Sequence, residues 1–243
     1  MAGNASGYDL SVATFSPDGR VFQVEYAGKA VDSSPTVAAA ICSDGIVFVA
    51  DSYPNSKTLA NCPWRIFSVG ENIGMLVAGY LPDGKELVRR ARSEYIAYKK
   101  HYGLDIPIKI LVERLALYVH AYTVYWHVRP FGSSFLLAGK DLSGLQLYSV
   151  DLSGAFYKYQ GTSLGKGKQN VKSELEKLDL SSICCKELSI ELCRMIIQSR
   201  EETRDNPKIQ LAWIKENDFE YLSQELIDEA TEAAQATIDM AED

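Results

Sequence analysis

The chain has 243 residues, 47% of them hydrophobic and 23% charged, with a formal net charge of -7. That is an ordinary globular balance, with no apolar run near the roughly 18 residues of a membrane span and no charged-then-apolar leader, so a soluble intracellular protein with no membrane partner is expected. The acid is concentrated in residues 216–243, which hold ten Asp or Glu and no Lys or Arg; removing those ten charges from -7 leaves the remainder at +3, and without a basic footprint no nucleic-acid partner is expected.

In chain order, the first signal is Pro17-Asp18-Gly19. Proline presets one backbone angle and glycine accepts a positive one, so this tripeptide predicts an arm that reverses direction before a helix begins. Val21, Val24, Ala27, Gly28 and Val31 then recur at three- and four-residue steps and give that helix one apolar stripe. A reversal at Pro17 would bring Tyr8 and Asp9 of the arm toward Tyr26 of the helix; the plainer reading is of three separate surface residues.

Residues 36–42 and 46–51 are nearly continuous apolar runs joined by Ser43-Asp44-Gly45, which reads as a hairpin buried on both faces. A second pair, 65–69 and 75–79, turns near Gly70-Glu71-Asn72. The period then changes: Leu87, Ala91, Tyr95, Tyr98 and Tyr102 mark one helix and Ile108, Val112, Leu115, Val119, Tyr122 and Trp126 another, divided by Gly103 and Pro107. Strands are expected again at 135–138, 146–150 and 155–159, helices at 164–178 and 186–202, and a last strand at 208–215. An acidic amphipathic helix follows through Leu222, Leu226, Ala230, Ala233 and Thr237. Doubly buried strands need cover on both faces, so helices arriving in pairs after antiparallel hairpins suggest stacked sheets with helices outside.

Residue chemistry offers little for catalysis. Cys42, Cys62, Cys184, Cys185 and Cys193 are odd in number and lack CxxC or framework spacing, so reduced buried thiols and no metal site are expected. His101, His120 and His127 lie in the Tyr-rich helices without a GxSxG or HExxH nearby. Gly161-Thr162-Ser163-Leu164-Gly165-Lys166-Gly167-Lys168 has the look of a phosphate loop, but three residues separate its first glycines and Gly167 stands where a Ser or Thr is needed. It reads as a helix start whose glycines permit close packing, and no cofactor is expected.

Tyr8-Asp9-Leu10, Phe15-Ser16-Pro17-Asp18-Gly19-Arg20 and Gln23-Val24-Glu25-Tyr26-Ala27 together resemble the N-terminal signature of proteasome alpha subunits. The likeness extends over essentially the whole chain, through Tyr118-Val119-His120-Ala121-Tyr122-Thr123, Val128-Arg129-Pro130-Phe131-Gly132 and Leu164-Gly165-Lys166 leading into Glu174-Leu175-Glu176-Lys177-Leu178. Gly7-Tyr8-Asp9-Leu10-Ser11 and the Tyr-Val-His-Ala-Tyr helix are most similar to the subunit type of the seventh ring position. The resemblance implies an α+β fold, a four-layer αββα sandwich of two antiparallel sheets of the N-terminal nucleophile hydrolase type. It implies one domain over 1–243: a gate arm 1–19, a helix 20–32, the sandwich 35–215, and an acidic C-terminal helix and tail 216–243.

The same resemblance implies a non-catalytic, cytoplasmic and nuclear member of the outer heptameric ring of the 20S core particle. Its implied partners are two neighbouring alpha subunits, beta-ring subunits, the C-terminal tails of regulatory ATPases or other activators, and unfolded protein substrates in transit. By family pattern Tyr8, Asp9, Pro17 and Tyr26 form the cluster that holds the arm in its open arrangement, with Leu10 departing from the usual Tyr-Asp-Arg. Lys57 resembles the lysine that receives an activator's C-terminal carboxylate, and Gly79 would line the same pocket.

The competing function is hydrolysis. An N-terminal nucleophile must be the first residue of the mature chain, its own amine acting as base. Asp51 looks like the supporting Asp of catalytic beta-type subunits, and counting back by their spacing puts Pro35 at the nucleophile position. Proline carries no nucleophile; the alternative that remains is cleavage before Thr36, which would free a threonine amine.

Overall fold

Period-two alternation of apolar side chains sorts the strands of this protein into layers. The computed structural model describes residues 7–53, 64–200, 208–216 and 218–242. After helix α1 (Phe22–Asp32), strands β1 (Val37–Ile41) and β2 (Gly45–Ser52) pair antiparallel, as do β3 (Ile66–Gly70) and β4 (Ile73–Gly79). Helices α2 (Leu81–Tyr102) and α3 (Ile108–Ala121) follow, then β5 (Ser133–Asp141), β6 (Gly144–Val150), β7 (Phe156–Tyr159) and β8 (Gly161–Leu164). Helices α4 (Lys168–Leu175) and α5 (Cys185–Gln198), strands β9 (Lys208–Lys215) and β10 (Asp218–Tyr221), and helix α6 (Gln224–Glu242) complete the order.

One sheet has the order β10-β9-β2-β1-β8 and the other β3-β4-β5-β6-β7, and all of their neighbouring pairs are antiparallel. Successive side chains on a strand face opposite ways. Val47 and Val49 of β2 therefore pack with Leu188, Leu192 and Ile196 of α5, while Ile46, Phe48 and Ala50 join Leu76, Leu136 and Ala212 between the sheets. In the second sheet Met75, Val77, Phe135 and Leu137 face outward onto Leu87, Ala91, Leu111 and Leu115 of α2 and α3. Three cores separate four layers, which is the expected αββα sandwich of two antiparallel sheets. Helix α1 adds Val31 to the inter-sheet core, with Val24 and Ala27 packed against it.

Several boundaries differ from the sequence expectation. Leu164, read as the start of a helix, is the last residue of strand β8, which pairs with β1 on the side away from β2 (Val37↔Leu164, Ala39↔Thr162), and the helix begins only at Lys168, after a turn over 165–167. Helix α3 ends at Ala121, not at Trp126, because Thr123 turns its hydroxyl back to donate to the His120 carbonyl at 2.7 Å, and Trp126 is exposed. The acidic helix is preceded by β10, whose Phe219 and Tyr221 pair with Ile214 and Ala212 of β9.

Candidate functional site

The arm meets helix α1 as the turn at Pro17 requires. Gly19 takes φ +73° and donates its N–H to the Ser16 carbonyl at 2.9 Å, and the Ser16 hydroxyl accepts from the Arg20 N–H at 3.0 Å. Arg20 closes the turn onto the helix through an ion pair with Glu25, its Nε 2.7 Å from Oε1. Upstream, Val12 is buried, and the Gln23 side-chain amide donates to the carbonyl of Asp9. The backbone at Asp9 thus lies on α1. Tyr8 and Tyr26 are each 39% exposed and Pro17 is exposed; among the described residues no hydrogen bond joins the two phenols to the Asp9 carboxylate. Tyr26 stacks on Phe22 at 6.2 Å between ring centres and lies 5.4 Å from the Lys29 ammonium.

A second location is the start of β1, where likeness to catalytic beta-type subunits puts the nucleophile. Pro35 and Thr36 line a cavity of about 20 Å³ with Ser34, Tyr53, Lys166, Ser199 and Arg200, which is little more than the space of one water. The Thr36 hydroxyl accepts the Gly167 N–H at 2.9 Å, and the Lys166 N–H donates to the Ser34 carbonyl at 3.0 Å. A Cβ on Gly165 would collide with the Pro35 carbonyl, and one on Gly167 with Thr36 and Ser199. The glycines that imitate a phosphate loop therefore let one backbone lie against another. Asp51, 2% exposed, is paired with Arg200 (Nη2 to Oδ1 2.9 Å) and accepts the Ser52 N–H at 3.0 Å. In the uncut chain the Thr36 nitrogen is a peptide nitrogen, and only cleavage before Thr36 would free the α-amine that this chemistry needs.

Gly79 has a structural reason of its own. It sits at φ +100°, and any Cβ there would strike the Gly132 carbonyl oxygen. The buried Arg65 guanidinium donates to the carbonyls of Val77 and Gly79 at 3.3 and 3.2 Å. Beside it Asp83, in the first turn of α2, accepts both Arg129 Nη groups at 2.6 and 2.8 Å and the Gly132 N–H at 2.9 Å. Burial pushes the Asp83 carboxyl up, but the Arg129 hydrogen bonds and the Gly132 N–H outweigh it and hold the group below the usual carboxylate range. Sequence reasoning uses Arg129 and Gly132 only as motif letters and misses Asp83, for which spacing gives no signal. Lys57 lies outside the described residues.

Comparison with known proteins adds a second line of observation. Residues 31–214 match the family model described as proteasome subunit, and residues 8–30 match the model for the N-terminal signature of A-type proteasome subunits. The chain is similar to proteasome subunit alpha type-3 of Arabidopsis thaliana, 45% identical over 244 residues covering 98% of each chain. It is 42% identical to proteasome subunit alpha type-3 of Dictyostelium discoideum over 99% of each. With the probable proteasome subunit alpha type-7 of Saccharomyces cerevisiae it shares 36% identity over all of this chain and 88% of that one.

Proposed function

The chain belongs to the proteasome alpha subunit family, and from that premise we propose that it occupies the seventh position of the outer ring, where its arm gates substrate entry. It is a non-catalytic alpha-ring member of the 20S core, and proteolysis resides in the beta subunits. The observation that carries this reading is that the residues ahead of Thr36 are part of the fold: Val31 of α1 is 5% exposed in the inter-sheet core and Ser34 is tied to Lys166. Cleavage before Thr36 would remove core side chains. The hydrolase alternative is not favoured for that reason.

In this reading two neighbouring alpha subunits flank the chain, beta subunits lie beneath it, and unfolded protein passes the gate in the cytoplasm and nucleus. Lys57 and Gly79 receive the C-terminal tails of regulatory ATPases or other activators. The test of position is electron microscopy of native particles carrying a tag at the C-terminus. Tag density on an outer seven-membered ring, at one position, is the expected result; density on an inner ring, or a free monomer that cleaves peptides, contradicts it. The gate cluster is tested by Asp9→Asn. The reading gives the Asp9 carboxylate an acceptor role in the open arrangement that, among the described residues, it does not fill in this structure; losing it is worth about 1 to 2 kcal/mol, so activator-stimulated peptide hydrolysis should fall several-fold while the active sites stay intact. Unchanged stimulation would remove Asp9 from the gate.

A further inference from the structure

Cys42 and Cys185 are 143 positions apart, and no sequence spacing relates them. The fold places their sulfurs 3.2 Å from one another, Cys42 just past the end of β1 and Cys185 at the first residue of α5. Asp44, in the hairpin turn between β1 and β2, turns Oδ1 to within 3.4 Å of the Cys42 sulfur and accepts the Cys185 N–H at 2.7 Å. All three candidate ligand atoms lie within 4.8 Å of one another. Gly45 makes the approach possible, because a Cβ there would collide with the Cys185 sulfur and the Ile214 carbonyl.

We propose that Cys42, Asp44 and Cys185 form a site for one divalent zinc ion, completed by a water. The donor set decides the metal class: two thiolates with one carboxylate suit a borderline-soft ion and not magnesium or calcium, which take oxygen ligands. In tetrahedral zinc geometry, with Zn–S near 2.3 Å, two sulfurs stand about 3.8 Å apart, so the pair opens by about 0.6 Å. A disulfide would instead draw them in by more than about 1 Å, to roughly 2.05 Å. Charge also closes. Two thiolates and a carboxylate around a divalent ion leave one negative charge, and the Lys215 ammonium, 3.2 Å from Oδ2 of Asp44, cancels it. The two thiol protons leave to solvent on binding, so the net charge of the locality is the same before and after.

Access is from the Asp44 side. Cys42 and Cys185 are buried, while Asp44 is exposed and lines an open cavity of about 320 Å³ with Ser43, Lys140, Leu145, Ile214, Lys215 and Glu216. Both thiols give up their protons when the cation binds.

The experiment is titration of the full-length chain with cobalt(II) in a non-thiol reductant, followed by the thiolate-to-metal absorption in the near ultraviolet, then displacement by zinc. One equivalent should saturate the signal. Cys42→Ser and Cys185→Ser should each weaken binding at least about tenfold, while Cys184→Ser and Cys193→Ser leave it unchanged. Because the buried variants can disturb folding, X-ray absorption of the zinc-loaded wild-type chain is the second measurement, with two sulfur and two oxygen or nitrogen neighbours expected. Absence of the absorption in wild type, its persistence without Cys42 or Cys185, a different sulfur count, or recovery of the pair as a disulfide from reducing buffer would each overturn the proposal.

Discussion

Asp83 fastens the start of α2 to the segment ahead of β5, through Arg129 and the Gly132 N–H. Its folded pKa lies below the ordinary 3.8, so its contribution is fully present above that value and is lost as pH falls through the lowered folded value. Arg129 is 64% exposed, which screens the pair. Asp83→Asn should therefore cost about 1 kcal/mol at neutral pH, with the difference from wild type closing as pH falls below 3.8 through the lowered folded value. Urea midpoints of both proteins across the acid range check this; a gap that widens in acid would contradict the assignment. Other residue-scale features are legible for mixed reasons. The turn at Pro17 follows from proline and glycine chemistry alone, whereas Asp51 and Pro35 come from likeness to catalytic beta-type subunits and their spacing. The Cys42 and Cys185 pair is not legible, since contact between residues so far apart is a property of the packed helix and hairpin.

At the scale of elements, long periodic segments are readable and short edge pieces are not. The alternation in β2 and the apolar faces of α2 and α3 name their own neighbours, because each pattern has to be buried somewhere. Strands β8 and β10 have four residues each and flank their sheet, so half of their pairing capacity is unused and their composition is mixed. Spacing overextends α3 because Tyr122 and Trp126 continue the helical period, although Trp126 is 81% exposed and packs no core. Helix α1 carries the prediction that belongs to this scale. Val31→Ala deletes buried methyls from the inter-sheet core and should cost about 1 to 3 kcal/mol. Ile96→Ala on the exposed side of α2, where the side chain is 63% accessible, should change stability by less than about 0.5 kcal/mol. Equilibrium urea denaturation distinguishes them, and a neutral Val31→Ala would mean that α1 is dispensable to the fold.

The whole molecule repeats one theme: the architecture suits nucleophile chemistry, and the chain occupies the place where that chemistry would occur. Two doubly covered sheets bring β1, β2 and the end of α5 together around Thr36, Asp51 and Arg200. The arm and α1 precede the first strand, and Gly165 to Gly167 pack against the residues that lead into it. The layered fold can be argued from the order of strands and helices, but its four-layer form rests on resemblance, because periodicity says that a face is buried without saying against what. Residues 8–30 of the same extension match the N-terminal signature of A-type proteasome subunits, and under the proposed function they form the gate arm. The most direct measurement is the intact mass of this chain from assembled native particles after treatment with an electrophile that captures an N-terminal threonine. The residues ahead of Thr36 should be present and the chain unmodified, with the adduct on other subunits. A chain beginning at Thr36 and bearing the adduct would make the arm a propeptide and this chain an enzyme.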